Sequence, residues 1–213
     1  MALRSETSET LPSRAVGIFG RVVVVLAFTA LLLSGCGMQS IPQAKNDVEA
    51  ALAEVTNQYK RRADLIPNLV KVVKGYASHE QETLTAVIEA RAKATRMTID
   101  PSQASPEQLE KFQRAQGSLS QALGRLMVVA ERYPNLKADR NFRDLQVQLE
   151  GTENRITIAR RRYIEAIKRF NDLITVPPTS WTNALLYQHE KMPQWTVSEA
   201  EQKQIEQAPE VAF

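Results

Sequence analysis

Residues 142–174 read FRDLQVQLEGTENRITIARRRYIEAIKRFNDLI and carry the clearest structural signal in the chain. Apolar or small side chains recur in this segment at alternating steps of three and four. The series consists of Phe142, Leu145, Leu149, Thr152, Ile156, Ala159, Tyr163, Ala166, Phe170 and Ile174. This spacing places the series on one face of a helix that packs against its neighbours at a small crossing angle. We therefore predict a long amphipathic helix here.

Two earlier segments show the same spacing, and no alternating strand pattern competes with it. One series comprises Leu52, Val55, Tyr59, Ile66, Leu69, Val73, Tyr76, Leu84 and Val87, with gaps at Arg62 and Glu80. The other comprises Leu109, Phe112, Ala115, Leu119, Leu123, Leu126, Ala130 and Tyr133. The fold class expected from the three series is all-α.

Turn and cap signals set the helix boundaries. Ser105-Pro106-Glu107-Gln108 has the pattern of a capping box with proline at the first helical position. Tyr133-Pro134-Asn135 predicts a break between helices, and Asp139 can cap the helix that follows. Val176-Pro177-Pro178 predicts the end of that helix, whereas Pro67 should only kink the helix that contains it. We predict helices over about 44–97, 106–132 and 139–175. Short connections make them neighbours in an elongated antiparallel bundle of three long helices over residues 44–176.

The first 36 residues have the pattern of a lipoprotein signal. An apolar run of 12 residues, VVVVLAFTALLL at 22–33, follows Arg21 and suits a signal-peptide core, since a membrane span needs roughly 20. Leu33-Ser34-Gly35-Cys36 then resembles a lipobox, and Cys36 is the only cysteine. We predict a signal peptide over 1–35, lipidation of Cys36, and a polar, turn-rich tether over 36–43. The alternative is an uncleaved signal anchor with an incidental cysteine.

This reading places the protein on the extracytoplasmic side of a cell membrane, held in the lipid bilayer by the acylated Cys36. In bacteria this means the periplasmic face. Gly37 follows the cysteine, which resembles a signal that permits transfer to the outer membrane of a two-membrane bacterium.

Composition excludes several function classes. The formal charge is +3, and removing three arginines and two glutamates with residues 1–35 leaves +2, too little to indicate a polyanionic partner. A single cysteine excludes intrachain disulfides and multi-cysteine metal sites. Arg160-Arg161-Arg162 fans around a helix, so solvated surface is favoured over contact with lipid phosphate, and we expect no nucleic-acid partner.

Several long motifs resemble the LemA family, in the right order over about residues 44–175. They are RRADLIPNLV at 61–70, VKGYA at 73–77, HE at 79–80, YPNLK at 133–137, NF at 141–142, LQ at 145–146, QLEGTENRI at 148–156, AR at 159–160 and Tyr163. The resemblance implies an antiparallel helical bundle outside a membrane, with no known enzymatic activity. The chain departs from the family pattern in its lipobox, in Tyr163-Ile164 and in Val176-Pro177.

Polar groups on or beside the apolar faces form a candidate network. They are Arg62, Asp64, Asn68, Glu80, Glu150, Glu153, Asn154 and Arg155. We expect them to meet between the first and third predicted helices, next to Gly151, which would let backbones approach closely. Buried charges require pairing, and such groups can set helix register. The alternatives are ordinary surface pairs or a ligand site.

The sequence carries no convincing catalytic or metal-binding motif. His79-Glu80-Gln81-Glu82-Thr83 lacks the second histidine of a zinc-protease motif. The chain has two histidines, and neither has the glutamate of a di-iron bundle three residues before it. We therefore expect no cofactor, no metal and no enzymatic activity.

The loop-rich tail, 177–213, holds Trp181 and Trp195 and a predicted short helix over 198–207. Its aromatic side chains suit packing on its own bundle or docking to a partner or the membrane interface. The function expected is a membrane-tethered helical scaffold that binds an envelope protein. Two alternatives are an envelope enzyme or ligand carrier that uses the polar network, and a self-assembling coat, which is a homo-oligomer.

Overall fold

The computed structural model describes residues 13–193 and 195; within 13–37 it describes the side chains of Arg21 and Val24 only. Its elements are α1 (Ser13–Tyr76), α2 (Gln81–Arg96), α3 (Pro106–Glu131), α4 (Pro134–Ala138), α5 (Arg140–Thr175) and α6 (Thr179–Thr182), followed by a π-helical turn, Asn183–Tyr187. The fold is an all-α helical bundle, as predicted. The tail helix predicted over 198–207 lies outside the described residues.

The described part of the chain forms two compact units. The larger comprises residues 44–172 with 191–193 and 195, and the smaller comprises residues 13–43 with 173–190. Residues 36–43, where we predicted turns, lie within α1 in this structure.

In the larger unit α5 runs antiparallel to α1. Arg169 lies 3.9 Å from Asp47, Arg162 lies 3.0 Å from Glu54, and the hydroxyl of Tyr76 donates to Asp139. These contacts advance along α1 as they retreat along α5. The prediction of antiparallel packing is therefore confirmed for this pair.

The predicted first helix, 44–97, is wrong as a single element. It breaks at residues 77–80, and α2 runs back beside α1, where Nε of Arg91 donates to the carbonyl of Ala63 at 2.8 Å. Gly75 and Ser78 weaken the helix at this point. The gap in the apolar series at Glu80 therefore marks a turn, and Tyr76, expected in the core, is 44% exposed at the end of α1.

The core of the larger unit is built from the predicted apolar faces. Ile66 and Val73 of α1, Val87 of α2, and Leu119 and Leu126 of α3 are fully buried against one another. Burial departs from the heptad pattern by one residue in two places. Gln116 is buried rather than Ala115, and Ile167 rather than Ala166, because 3.6 residues per turn drift against a period of 3.5.

The predicted caps are present. The side chain of Ser105 accepts from the amide of Gln108 and the side chain of Gln108 accepts from the amide of Ser105, with Pro106 at the start of α3. Oδ1 of Asp139 accepts from the amide of Phe142 at 3.0 Å at the start of α5. The hydrogen bonds from that amide and from the Tyr76 hydroxyl hold the pKa of Asp139 below its ordinary value.

Candidate functional site

Arg62 is the most deeply buried charged side chain of the described residues, at 1% exposure. It lies on the face of α1 that packs against α3 and α5, because its position continues the apolar series. Its Nη1 donates to Oε1 of Glu153 at 2.6 Å and to Oγ of Ser120 at 2.9 Å. Its Nη2 donates to Oε1 of Gln116 at 2.8 Å and to the Gln116 carbonyl at 3.2 Å.

The ring of Tyr59 completes the surroundings of Arg62. The guanidinium carbon lies 5.0 Å from the centre of this ring, within the range of a cation–π contact. Tyr59 is fixed in turn by an edge-on contact with Phe112, with ring centres 5.2 Å apart. We call Tyr59, Arg62, Gln116, Ser120 and Glu153 the Arg62 cluster. It joins α1, α3 and α5.

The charge balance of the Arg62 cluster is asymmetric. A buried guanidinium is a cation that must be compensated by nearby polar or acidic groups. Glu153 supplies the opposite charge, yet its side chain is 51% exposed. The carboxylate therefore stays partly hydrated while the guanidinium does not. Nε of Arg62 is one of the described buried polar atoms that lack a hydrogen-bond partner.

Of the eight predicted network residues, the structure brings together Arg62 and Glu153. Asp64, Asn68, Asn154 and Arg155 are exposed, as is Glu150, which accepts from Gln146 one turn earlier. These five do not join the Arg62 cluster, because their positions on α1 and α5 face solvent.

Glu80 belongs to a different contact. Its Oε1 accepts from Nη2 of Arg132 at 3.0 Å and from the hydroxyl of Tyr133 at 3.1 Å, which ties the α1–α2 turn to the end of α3. The hydrogen bond to this carboxylate raises the pKa of Tyr133.

The prediction that Gly151 lets another helix approach closely is wrong. A Cβ there would meet only the side chain of Arg155 at 3.6 Å, so no other helix approaches closely.

Two members of the Arg62 cluster, Gln116 and Ser120, are not predicted from the sequence. Tyr59 is buried, as its place in the apolar series predicts, and also contacts Arg62. Gln116 and Ser120 are four residues apart and so share one face of α3. A polar pair at this spacing beside an apolar series is the signal that could have identified them.

Members of the Arg62 cluster line three spaces of different size. A cavity of about 80 Å³ is lined by the cluster together with Trp195, Arg160 and neighbouring residues of α3 and α5. Glu153 is the only carboxylate in its lining. A wider groove of about 510 Å³ between α1, α2 and α3 has Asp64 as its single carboxylate. A third groove of about 330 Å³ between α3 and α5 is lined by both Glu150 and Glu153. Each of these two carboxylates is already engaged, Glu153 by Arg62 and Glu150 by Gln146.

The described part of the chain also offers no site for metal chemistry. It contains no group of three His, Cys, Asp or Glu side chains placed to hold a metal ion.

The three consecutive arginines have different surroundings. Arg160 lies over the ring of Trp195, Arg161 is 3.8 Å from Glu165, and Arg162 binds Glu54.

The predicted lipidation site lies in α1. The side chain of Cys36 is outside the described residues, and its lipidation stays a prediction. Met38, two positions later, accepts a hydrogen bond at its carbonyl from the hydroxyl of Tyr187, 2.7 Å away. Within the described residues, no helix combines the length and the apolar character needed to cross a membrane.

Comparison with known proteins identifies relatives of the bundle. The chain is 26% identical to Protein LemA of Metamycoplasma hominis over 141 residues, which cover 66% of this chain and 59% of the relative. It is 27% identical to magnetosome protein MamQ 2 of Paramagnetospirillum magneticum over 177 residues, covering 75% of this chain and 64% of the relative. The matches thus span less than two thirds of each relative. The profile of the LemA family matches residues 51–213, and the chain therefore belongs to the LemA family.

Proposed function

We propose that this protein is a non-enzymatic helical scaffold of the bacterial cell envelope, tethered to the membrane through acylated Cys36 and presenting its bundle to protein partners. The Arg62 cluster carries the proposal. Its buried cation is bonded to side chains of α3 and α5. The cavity that the guanidinium itself lines holds about 80 Å³, and the larger grooves nearby do not include Arg62 in their lining. Binding pockets for small molecules are usually about 300 Å³ or larger.

This geometry favours a structural role over the alternative of an enzyme or ligand carrier built on the cluster. A carrier needs polar groups that point into an empty space. The guanidinium of Arg62 instead donates four hydrogen bonds to other groups of the protein. The second alternative, a self-assembling coat, requires an uncovered apolar face. The described apolar series of α2, α3 and α5 are instead largely buried in the bundle.

The membrane tether rests on the sequence. The apolar run 22–33 and the lipobox residues Leu33–Cys36 support it, and Cys36 is the one thiol available for acylation. Labelled palmitate fed to cells that express the protein should appear in the wild-type chain and be absent from Cys36→Ser. Label that persists in the variant, or wild-type chain without label, contradicts the tether.

The scaffold role is tested by site-specific photocrosslinking in native membranes. Val128 on α3 and Val147 on α5 are 69% and 67% exposed, so a photoreactive residue at either position samples the surroundings of the bundle. We expect adducts with a different envelope protein. The buried Ile167 is the matched control and should give none. Adducts only between copies of this chain would favour the coat, and their absence from both positions would contradict the scaffold.

A further inference from the structure

The segment that follows α5 exposes large apolar side chains. Trp181 is 70% exposed, Leu185 is 80% exposed and Leu186 is 53% exposed. Leu185 and Leu186 lie four and five residues after Trp181, about one turn later along α6 and the π-helical turn, so the helical repeat places the three side chains on the same side of the segment. We call these three residues the Trp181 surface. Patches of this kind on a folded protein mark an interaction site.

The segment has a defined conformation. The side-chain amide of Asn183, a residue that is 8% exposed, donates to the carbonyl of His189 and accepts from its amide, both at 3.0 Å. The hydroxyl of Thr179 donates to the carbonyl of Leu173 at 2.6 Å. These bonds hold the backbone while the large side chains point outward. The exposure of the Trp181 surface is therefore a property of a folded segment.

The end of the π-helical turn contacts the residues that follow the predicted anchor. Tyr187 binds the carbonyl of Met38, whose own side chain is 51% exposed and which follows Cys36 by two residues. An acyl chain on Cys36 would place Met38 at the membrane surface. The hydrogen bond brings the end of the π-helical turn to the same place.

The two stretches that this hydrogen bond joins are free of charge. Residues 37–44 and 173–189 contain no Lys, Arg, Asp or Glu, although such residues make up 24% of the chain. A charged side chain at the bilayer surface resists burial, whereas Trp and Leu favour the boundary between headgroups and acyl chains. A folded, uncharged, tryptophan-bearing surface beside a lipid anchor fits a bilayer better than a polar protein surface.

We propose that the Trp181 surface inserts into the interfacial layer of the membrane to which the protein is anchored. This inference rests on the proposed tether at Cys36. A diacylglyceryl group on Cys36 would hold the protein by its two acyl chains, and inserted apolar side chains beside it would add to the attachment. Two attachment points on one unit also limit the rotation of that unit about a flexible anchor.

Tryptophan fluorescence tests the insertion with an internal control. The chain has two tryptophans, and Trp195 is 6% exposed, packed edge-on against Tyr163. The full chain is reconstituted into vesicles of phosphatidylethanolamine and phosphatidylglycerol with brominated acyl chains. We expect part of the emission to be quenched and this quenching to be lost in Trp181→Phe. Quenching that is absent from the wild type, or unchanged in Trp181→Phe, overturns the insertion.

Three further measurements test the insertion, and the first of them separates it from the tether. Palmitate labelling is followed in the same expression strain. Label without quenching rejects insertion and retains the tether, whereas quenching without label retains insertion and rejects the tether. The variant Leu185→Ser/Leu186→Ser should keep its label and its helix content and lose most of the quenching. A photoreactive residue at position 185 should form lipid adducts in native membranes, and protein adducts alone would overturn the proposal.

Discussion

Replacing Arg62 by methionine removes the buried guanidinium and keeps most of the volume of its aliphatic stem. The carboxylate of Glu153 is half exposed and regains water, so losing this contact costs at most about 1 kcal/mol. The carbonyl of Gln116 keeps a hydrogen bond from Ser120 at 3.2 Å. Oε1 of Gln116 is then left buried without its partner, which costs about 1–3 kcal/mol. We expect Arg62→Met to lower the free energy of unfolding by about 1–3 kcal/mol.

The double variant Arg62→Met/Gln116→Leu separates this explanation from simple loss of packing. It removes the unpaired acceptor together with its donor, and replacing both partners of a buried polar contact by apolar groups is often nearly neutral. Its stability should return to within about 1 kcal/mol of the wild type, although Gln116→Leu alone is destabilising. Urea unfolding followed by far-ultraviolet circular dichroism measures all four proteins.

Arg155→Met is the matched control, because Arg155 is an exposed arginine on α5. It should change the free energy of unfolding by no more than about 0.5 kcal/mol. If the double variant loses as much stability as the two single variants together, the cluster does not act through the pairing of Arg62 with Gln116, and the reasoning is refuted.

Three further predictions concern the caps and the second helix. Asp139→Ala should be less stable than the wild type above pH about 5, and this difference in stability should shrink as the pH falls below about 4. The reason is that the pKa of Asp139 is lowered in the folded state, so its stabilising contribution is lost when the carboxylate is protonated. A difference in stability that does not depend on pH contradicts this. Ser105→Ala removes the capping box of α3 and should cost about 1 kcal/mol in urea unfolding, and no change in midpoint would exclude this role. Leu84→Ala should cost about 2–4 kcal/mol, whereas Ile88→Ala on the exposed side of α2 should cost less than about 1 kcal/mol; equal losses would contradict the packing of α2.

The sequence alone determined the helical class, the bounds of α3 and α5, and their caps. These features depend on neighbours within about one turn, so periodicity and local hydrogen bonding are sufficient to predict them. The capping box at Ser105 and the cap at Asp139 were predicted at the residues where the structure has them. The motifs that indicated the LemA family are equally local, and the family profile agrees.

Only the tertiary structure decided where the first apolar series turns back and which polar groups meet. A gap at Glu80 looks the same along the chain whether it holds a buried charge or a turn, and the return of α2 beside α1 resolves it. The partners of Arg62 lie 54 to 91 residues away on other helices. Their proximity depends on the rotation and register of three helices about their axes, and a single chain's periodicity does not specify these quantities.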